Sequence, residues 1–257
     1  MDSLTTSVIA SAFVFSAALL GTSFRKRIPD SYQSSDSKDV VRLVMGLVVT
    51  TVAIALGLLV GSAKSFFDTQ NTEMAQLAAN YVLLDRMLAQ YGPEANNARA
   101  ALRTVLANQL AARNQLVGSN KTFSDIKSGA TVSEAIIDKI HGLSPKDDDQ
   151  KFFRQQCLNL EIQLGQIRWL MYEQNSVPFP RFLLVMLIGW LIVLFVSFGI
   201  FAPRNPLVLA GFLVSAAAVC GAILLILQMY SPQRGLIRVS DAPLRAAMEQ
   251  LGRDPRR

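Results

Sequence analysis

Four stretches of this 257-residue chain contain no Asp, Glu, Lys or Arg: Ser3 to Phe24, Leu43 to Ala63, Phe182 to Pro203 and Asn205 to Gln233. Their lengths are 22, 21, 22 and 29 residues, and a helix needs about 20 apolar residues to cross a hydrocarbon core. The sequence therefore predicts an all-α integral membrane protein with four transmembrane helices, at about 3–24, 43–63, 182–202 and 207–229. The four stretches hold 94 residues and pull the charged fraction down to 17%, with 51% hydrophobic residues. A soluble domain carries about 25% charged residues. A disordered chain, a disulfide scaffold and a secreted soluble enzyme are excluded on this composition.

The formal net charge of +6 suggests a basic, nucleic-acid-binding protein until it is partitioned along the chain. Residues 64 to 174 are neutral, with twelve basic and twelve acidic side chains. The excess lies in Arg25 to Arg42, at Arg181 and Arg204, and in the tail from Arg234 to Arg257. Basic residues thus flank the apolar segments, as headgroup contacts and topology signals do, and no basic stripe interleaved with aromatics is present for nucleic acid. The expected partner is the lipid bilayer. Asp2 precedes the first apolar stretch and Arg25, Lys26 and Arg27 follow it, the reverse of a cleavable signal peptide, so this stretch is expected to stay as a membrane helix. The same cluster places the Arg25 to Arg42 loop in the cytoplasm of a bacterial inner membrane. The N-terminus, the central segment and the C-terminus then lie outside.

Residues 64–177 read as an antiparallel helical bundle inserted between the second and third spans, with 1–63 and 178–233 holding the span pairs. The second span continues without a breaker to Gly92-Pro93, so one helix should project about 45 Å from Ser62 to Tyr91. On it Met74, Leu77, Tyr81, Leu84, Leu88 and Tyr91 recur at steps of three and four and form a packing stripe. Glu94 to Leu116 reads as the next helix, with Leu102, Val105, Leu106 and Leu110 inward and Arg99, Arg103 and Arg113 outward. A short helix over Val132 to His141 presents Val132, Ile136 and Ile140, and Gly142 closes it. Ser144-Pro145 is expected to open a long helix, with Ser as cap, Pro at the first position and Asp147 to Asp149 in the first turn. Its inward stripe is Phe153, Cys157, Leu160, Leu164, Ile167 and Met171. Pro178 and Pro180 interrupt the passage to the third span, as a plain break or as a hinge or pore-mouth element. In the 234–257 tail, Ser240 or Asp241 should cap a short amphipathic helix through Leu251. Its face of Leu244, Met248 and Leu251 suits the membrane surface or the bundle.

Chemistry-bearing residues are sparse. His141 is the sole histidine, Cys157 and Cys220 stand on packing faces, and Asp147 to Asp149 fit a helix start. No Gly-rich phosphate loop, GxSxG or metal-ligand spacing is present, so neither an enzyme nor a cofactor is expected. The spans hold no Asp, Glu, Lys, Arg or His in their interiors, which disfavours a proton-coupled pump or a voltage sensor. Any conduction path would be lined by neutral groups. Thr50, Thr51, Gly57 and Gly61 in the second span, and Ser215 and Gly221 in the fourth, are the candidates, either as pore lining or as close helix contacts within or between subunits. Trp190 is expected to pack in mid-span and Tyr230 to anchor near an interface.

The second span running into Phe66-Phe67-Asp68, then Asn71-Thr72-Glu73, Leu84-Asp85-Arg86, Tyr91-Gly92-Pro93-Glu94, Arg99, Arg103, the Pro178/Pro180 lead and the Ser240-x-x-Pro243-Leu244 helix start together resemble the bestrophin-like family of bacterial membrane proteins. The likeness covers about Gly46 to Leu251. It implies four spans with an inserted helical domain and, through the family's name, an oligomeric anion channel, while no pore residue carries over one by one. A four-span bundle is too small for a wide pore of its own, so a channel requires a homo-oligomer, with Arg234 and Arg238 drawing anions to its mouth. The alternative is a non-conducting membrane sensor or scaffold whose bundle binds a partner or ligand.

Overall fold

The computed structural model describes residues 3–24, 35–116, 128–176, 181–203, 205–230 and 237–251. Every regular element among them is helical: α1 (Ser3–Phe24), α2 (Ser35–Tyr91), α3 (Asn96–Leu116), α4 (Ser128–His141), α5 (Asp148–Ser176), α6 (Arg181–Phe201), α7 (Pro206–Met229) and α8 (Ala242–Gln250). A single 3-10 turn at Pro93–Ala95 joins α2 to α3. Helices α1, α2, α6 and α7 are each long and apolar enough to cross a membrane. The chain divides into two compact units, Met1–Phe66 with Pro178–Ile237 and Phe67–Val177 with Arg238–Arg257.

In the first unit α1 packs on α6 and α7. Val14, Ala17 and Ala18 are buried with Leu187, Leu191, Leu194 and Phe195, and Val52, Leu59 and Ala63 of α2 join the same core. Glycine lets α1 and α6 approach to backbone contact. A Cβ on Gly21 would run into the Val196 carbonyl, and one on Gly199 into the Ala18 carbonyl, with the Gly21 Cα only 3.0 Å away. Small residues serve this purpose in lipid, where packing replaces the hydrophobic effect as the force between helices. Polar groups here are satisfied internally: Ser11 Oγ donates to the Ala216 carbonyl at 2.8 Å, and Gln228 Nε2 donates to Ser3 Oγ at 2.9 Å. Asn205 caps α7, accepting from the Leu207 N–H at 3.0 Å, with Pro206 at the first helical position.

The second unit is built on the stripe read from α2: Met74, Leu77, Tyr81, Leu84, Leu88 and Tyr91 are all buried. They share one core with Leu102, Val105 and Leu106 of α3, Ile136 and Ile140 of α4, and Cys157, Leu164 and Met171 of α5. Each fully buried Leu or Ile contributes about 1.5–3 kcal/mol. The apolar face of α8 goes to the bundle, with Leu244, Ala247 and Leu251 buried in that core. Gly92 turns the chain at φ 126°, a backbone region open to glycine alone.

The helix starts and two of the arginines differ from the sequence expectation. Asp147 caps α5, three residues beyond Ser144: its Oδ1 accepts from the Gln150 N–H at 2.7 Å, and Gln150 Oε1 accepts from the Lys146 N–H at 2.8 Å. The return bond from Gln150 makes Asp147 the better cap. Ser240 Oγ accepts from the Ala242 N–H, while the Asp241 carboxylate takes the Arg113 guanidinium instead of capping α8. Arg99 and Arg113 are turned toward partners and half-buried, whereas Arg103 is exposed as expected while donating to the Leu251 carbonyl at 2.6 Å. Helix α4 begins at Ser128, and Gly142 ends it without a positive φ. Arg25, Lys26 and Arg27, Arg204, and the Pro178/Pro180 joint lie outside the described residues.

Candidate functional site

The apolar half of α2 is the least covered of the candidate spans. Within its most apolar 18-residue window 6% of residues are buried, against 33% in α1 and in α6. Val52, Leu59 and Ala63 mark its covered side. Round the remainder, Leu43, Leu47, Ile54 and Leu58 are 60–78% exposed. Thr50, Ile54, Gly57 and Gly61, at steps of four, three and four, stack on one open face.

Among the described residues, each proposed site residue has a definite place. Thr50, Thr51, Gly57 and Gly61 are exposed in the single chain. A Cβ on Gly57 or Gly61 would meet nothing within 4 Å, so neither glycine serves a close contact inside the chain. That role falls to Gly21 and Gly199, which sequence reasoning missed because each sits on its own helix outside any Gly-x-x-x-Gly spacing. The hydroxyl of Thr50 donates to the Gly46 carbonyl at 2.9 Å and that of Thr51 to the Leu47 carbonyl at 3.0 Å. Their protons are thus spent on the helix, and what faces outward is a methyl and oxygen lone pairs. On α7, Ser215 and Gly221 are exposed, while Ala216, Ile223 and Ile226 are buried. Arg238 is exposed beside the buried Val239. Arg234 lies outside the described residues.

Tyr230 ties the end of α7 to α2. Its ring stacks on Phe66 at 5.2 Å and its hydroxyl lies 3.0 Å from Ser62 Oγ. Trp190 is half-buried against the α1–α6 core.

Charge is concentrated inside the second unit. Arg99 donates two hydrogen bonds to Asp85, at 2.8 and 2.9 Å, across the α2–α3 turn. Arg168 donates to Glu161 at 2.8 Å and to the Tyr81 hydroxyl at 3.1 Å, which ties α5 to α2. Burial holds the Tyr81 hydroxyl protonated well above its ordinary range. A second link runs from Gln70 through Gln174 to Glu73, at 2.5 and 2.6 Å. Burial also raises the Cys157 thiol to about 12, which leaves it unreactive at neutral pH, and His141 is exposed at the end of α4. Asp85 with Arg99, Tyr81 with Arg168, and Gln70 with Gln174 and Glu73 pair across helices. Their role is to hold α2, α3 and α5 in register.

A family model described as the Bestrophin-like domain matches residues 12–244. Among solved structures, a bacterial bestrophin homologue from Klebsiella pneumoniae carrying one substitution is similar at a TM-score of 0.69 and 12% identity. The match covers 96% of this chain and 97% of that one. A second variant of the Klebsiella pneumoniae homologue is similar at 0.66 and 13%, over 93% and 97%. A membrane protein with a single substitution is similar at 0.69 and 12%, over 96% and 97%. No curated protein matches the chain.

Proposed function

This chain belongs to the bestrophin-like family, and we propose that it is one protomer of a homo-oligomeric ion-conducting pore of the bacterial inner membrane. The observation that carries the reading is the uncovered apolar half of α2, which one copy leaves open over most of its circumference. In this reading α1, α2, α6 and α7 each cross the bilayer. The Thr50, Ile54, Gly57 and Gly61 face of α2, with Ser215 and Gly221 of α7, lines the path or seals it between copies. Because the Thr50 and Thr51 hydroxyl protons are already bonded to the helix, these groups offer no donors to an anion. Preference for anions then rests on long-range attraction by Arg234 and Arg238 at the mouth. Selectivity should accordingly weaken as salt rises toward a screening length of about 3 Å at 1 M.

The Arg25 to Arg27 cluster supports a cytoplasmic loop between α1 and α2, with the bundle and both termini outside. A cysteine at the exposed Lys139 should then react with an impermeant maleimide added to intact cells. Reaction only after the inner face is opened would reverse the orientation.

The pore is tested by mass measurement in native nanodiscs and by halide and alkali-cation flux from liposomes. A multi-copy particle with halide flux that falls in Arg238→Glu is the expected result. A folded particle with no flux at any pH or membrane potential overturns conduction and leaves a scaffold, whose bundle would then be the working part.

A further inference from the structure

Two outer faces of the second unit carry no charge, although both are exposed in the single chain. On α2, Thr72, Ala75, Gln76, Ala79 and Leu83 look outward between Asp68 and Arg86. On α5 the outward positions from Gln155 to Leu170 are amides and apolar side chains, with Ile162 57%, Trp169 65% and Leu170 51% exposed. Exposed helix faces of a soluble bundle are normally charged, and Trp at such exposure is uncommon away from interfaces.

We propose that copies of this chain associate side by side, the outer face of α5 on one packing against the outer face of α2 on the next. The inference rests on the oligomeric reading above and names its contact surfaces. Three observations argue for a second copy as the occupant. The first is level. Gln70 is hydrogen-bonded to Gln174 and Tyr81 to Arg168, so between these two antiparallel helices Ala75 and Ala79 lie at the height of Trp169 and Leu170, and Leu83 at that of Ile162. Rotation about an axis parallel to these helices brings groups of equal height together, with no shift along the axis.

The second is direction and shape. The two helices face each other through Tyr81 and Arg168, so their outer sides point away from one another, as a head-to-tail contact requires. One side is low relief, with Ala75 and Ala79; the other is high relief, with Trp169, Leu170 and Ile162. The third is area. Ile162, Trp169 and Leu170 expose on the order of 250 Å² of apolar side chain. With the flanking amides this supplies a part of the roughly 800 Å² per partner of a stable interface.

The experiment uses the full chain in its native membrane. Ala75→Cys and Leu170→Cys are introduced singly and together, then cross-linked with a short bis-maleimide. The double variant should give a ladder extending past the dimer, each single variant no ladder, and the two singles co-expressed a dimer only. A ladder that stops at the dimer in the double variant, or none while nanodisc mass still shows several copies, overturns this interface and leaves the pore reading standing. A monomeric mass overturns both. Ala79→Trp, at an exposed position that the single chain leaves open, should reduce the multimer at least tenfold with an unchanged helical circular dichroism spectrum. A multimer that survives Ala79→Trp intact overturns the proposal.

Discussion

Replacement of Gly199 by Ala adds one methyl group at the closest approach of α1 and α6. That methyl would overlap the Ala18 carbonyl and sit 3.0 Å from the Gly21 Cα and from the Thr22 nitrogen. All three are backbone atoms of a hydrogen-bonded helix, so no side chain can swing aside. Relief requires the helices to part by on the order of 1 Å, a gap that forfeits a quarter to a half of each affected van der Waals contact. Val14, Ala17 and Ala18 on α1 and Leu194 and Phe195 on α6 lie in the loosened seam. Overpacking of this kind costs about 1–3 kcal/mol, and the loosened seam brings the loss to about 3 kcal/mol. At about 2–4 °C per kcal/mol for a chain of this size, the apparent Tm should fall by about 6–12 °C. The assay is thermal unfolding of the purified protein in detergent at one fixed scan rate, followed by intrinsic fluorescence. Gly189→Ala, on the same helix, is the control, because a Cβ there meets nothing within 4 Å. A Gly199→Ala protein that melts within about 1 °C of wild type would refute the argument from backbone contact.

Other outcomes follow from the same contacts. Asp85→Ala strands the Arg99 guanidinium, whose side chain is 19% exposed, and should cost about 3–5 kcal/mol by denaturant titration, with the double variant Asp85→Ala/Arg99→Ala recovering part of the loss. Leu244→Ala removes a side chain 1% exposed in the bundle core and should cost about 2–5 kcal/mol, whereas a surface-lying α8 would lose almost nothing. Cys157 should resist iodoacetamide at pH 8 in the folded protein and react once it is denatured. Because its folded pKa of about 12 stands above an ordinary value of 9.0, its contribution to stability is complete below pH 9 and declines as pH rises toward 12, which a Cys157→Ala comparison across pH 8–11 would reveal. Gly57→Leu should leave the Tm unchanged and alter flux or multimer mass; a lowered Tm with neither altered would remove Gly57 from the site.

Periodicity carried most of what could be read beforehand. The six-residue stripe from Met74 to Tyr91 is legible because a helix repeats every 3.6 residues, and all six side chains are buried as expected. The apolar spans are legible because removing a charge from lipid-facing surface leaves a mark at every position. The starts of α5 and α8 were harder to place. Ser144-Pro145 and Asp147 both satisfy the local rules for a helix start, and only the return bond from Gln150 decides between them. Arg99 and Arg113 read as solvent-facing but are half-buried, because their partners, Asp85 and Asp241, lie 14 and 128 residues away; Arg103 is exposed as read. Gly199 left no spacing pattern and Gly21 only the short Ala17-x-x-x-Gly21, since their signal exists where two helices cross. Thr50, Thr51, Gly57, Gly61, Ser215 and Gly221 are exposed in one copy, with Thr50 and Thr51 bonded to carbonyls of their own helix, so their role is tied to the assembly proposed for them.

The α2–α3 turn also sets an order of events as the chain is made. Asp85 and Arg99 are 14 residues apart, so at about 5–20 residues per second the arginine is synthesised about 1–3 s after its carboxylate. Tyr81 waits for Arg168, 87 residues later, or about 4–17 s. The Gly92 turn allows the hairpin to close while α5 is still unmade. Arg99 is therefore neutralised in water by a nearby acid before any helix arrives to cover it, and the newborn chain avoids dehydrating a lone cation.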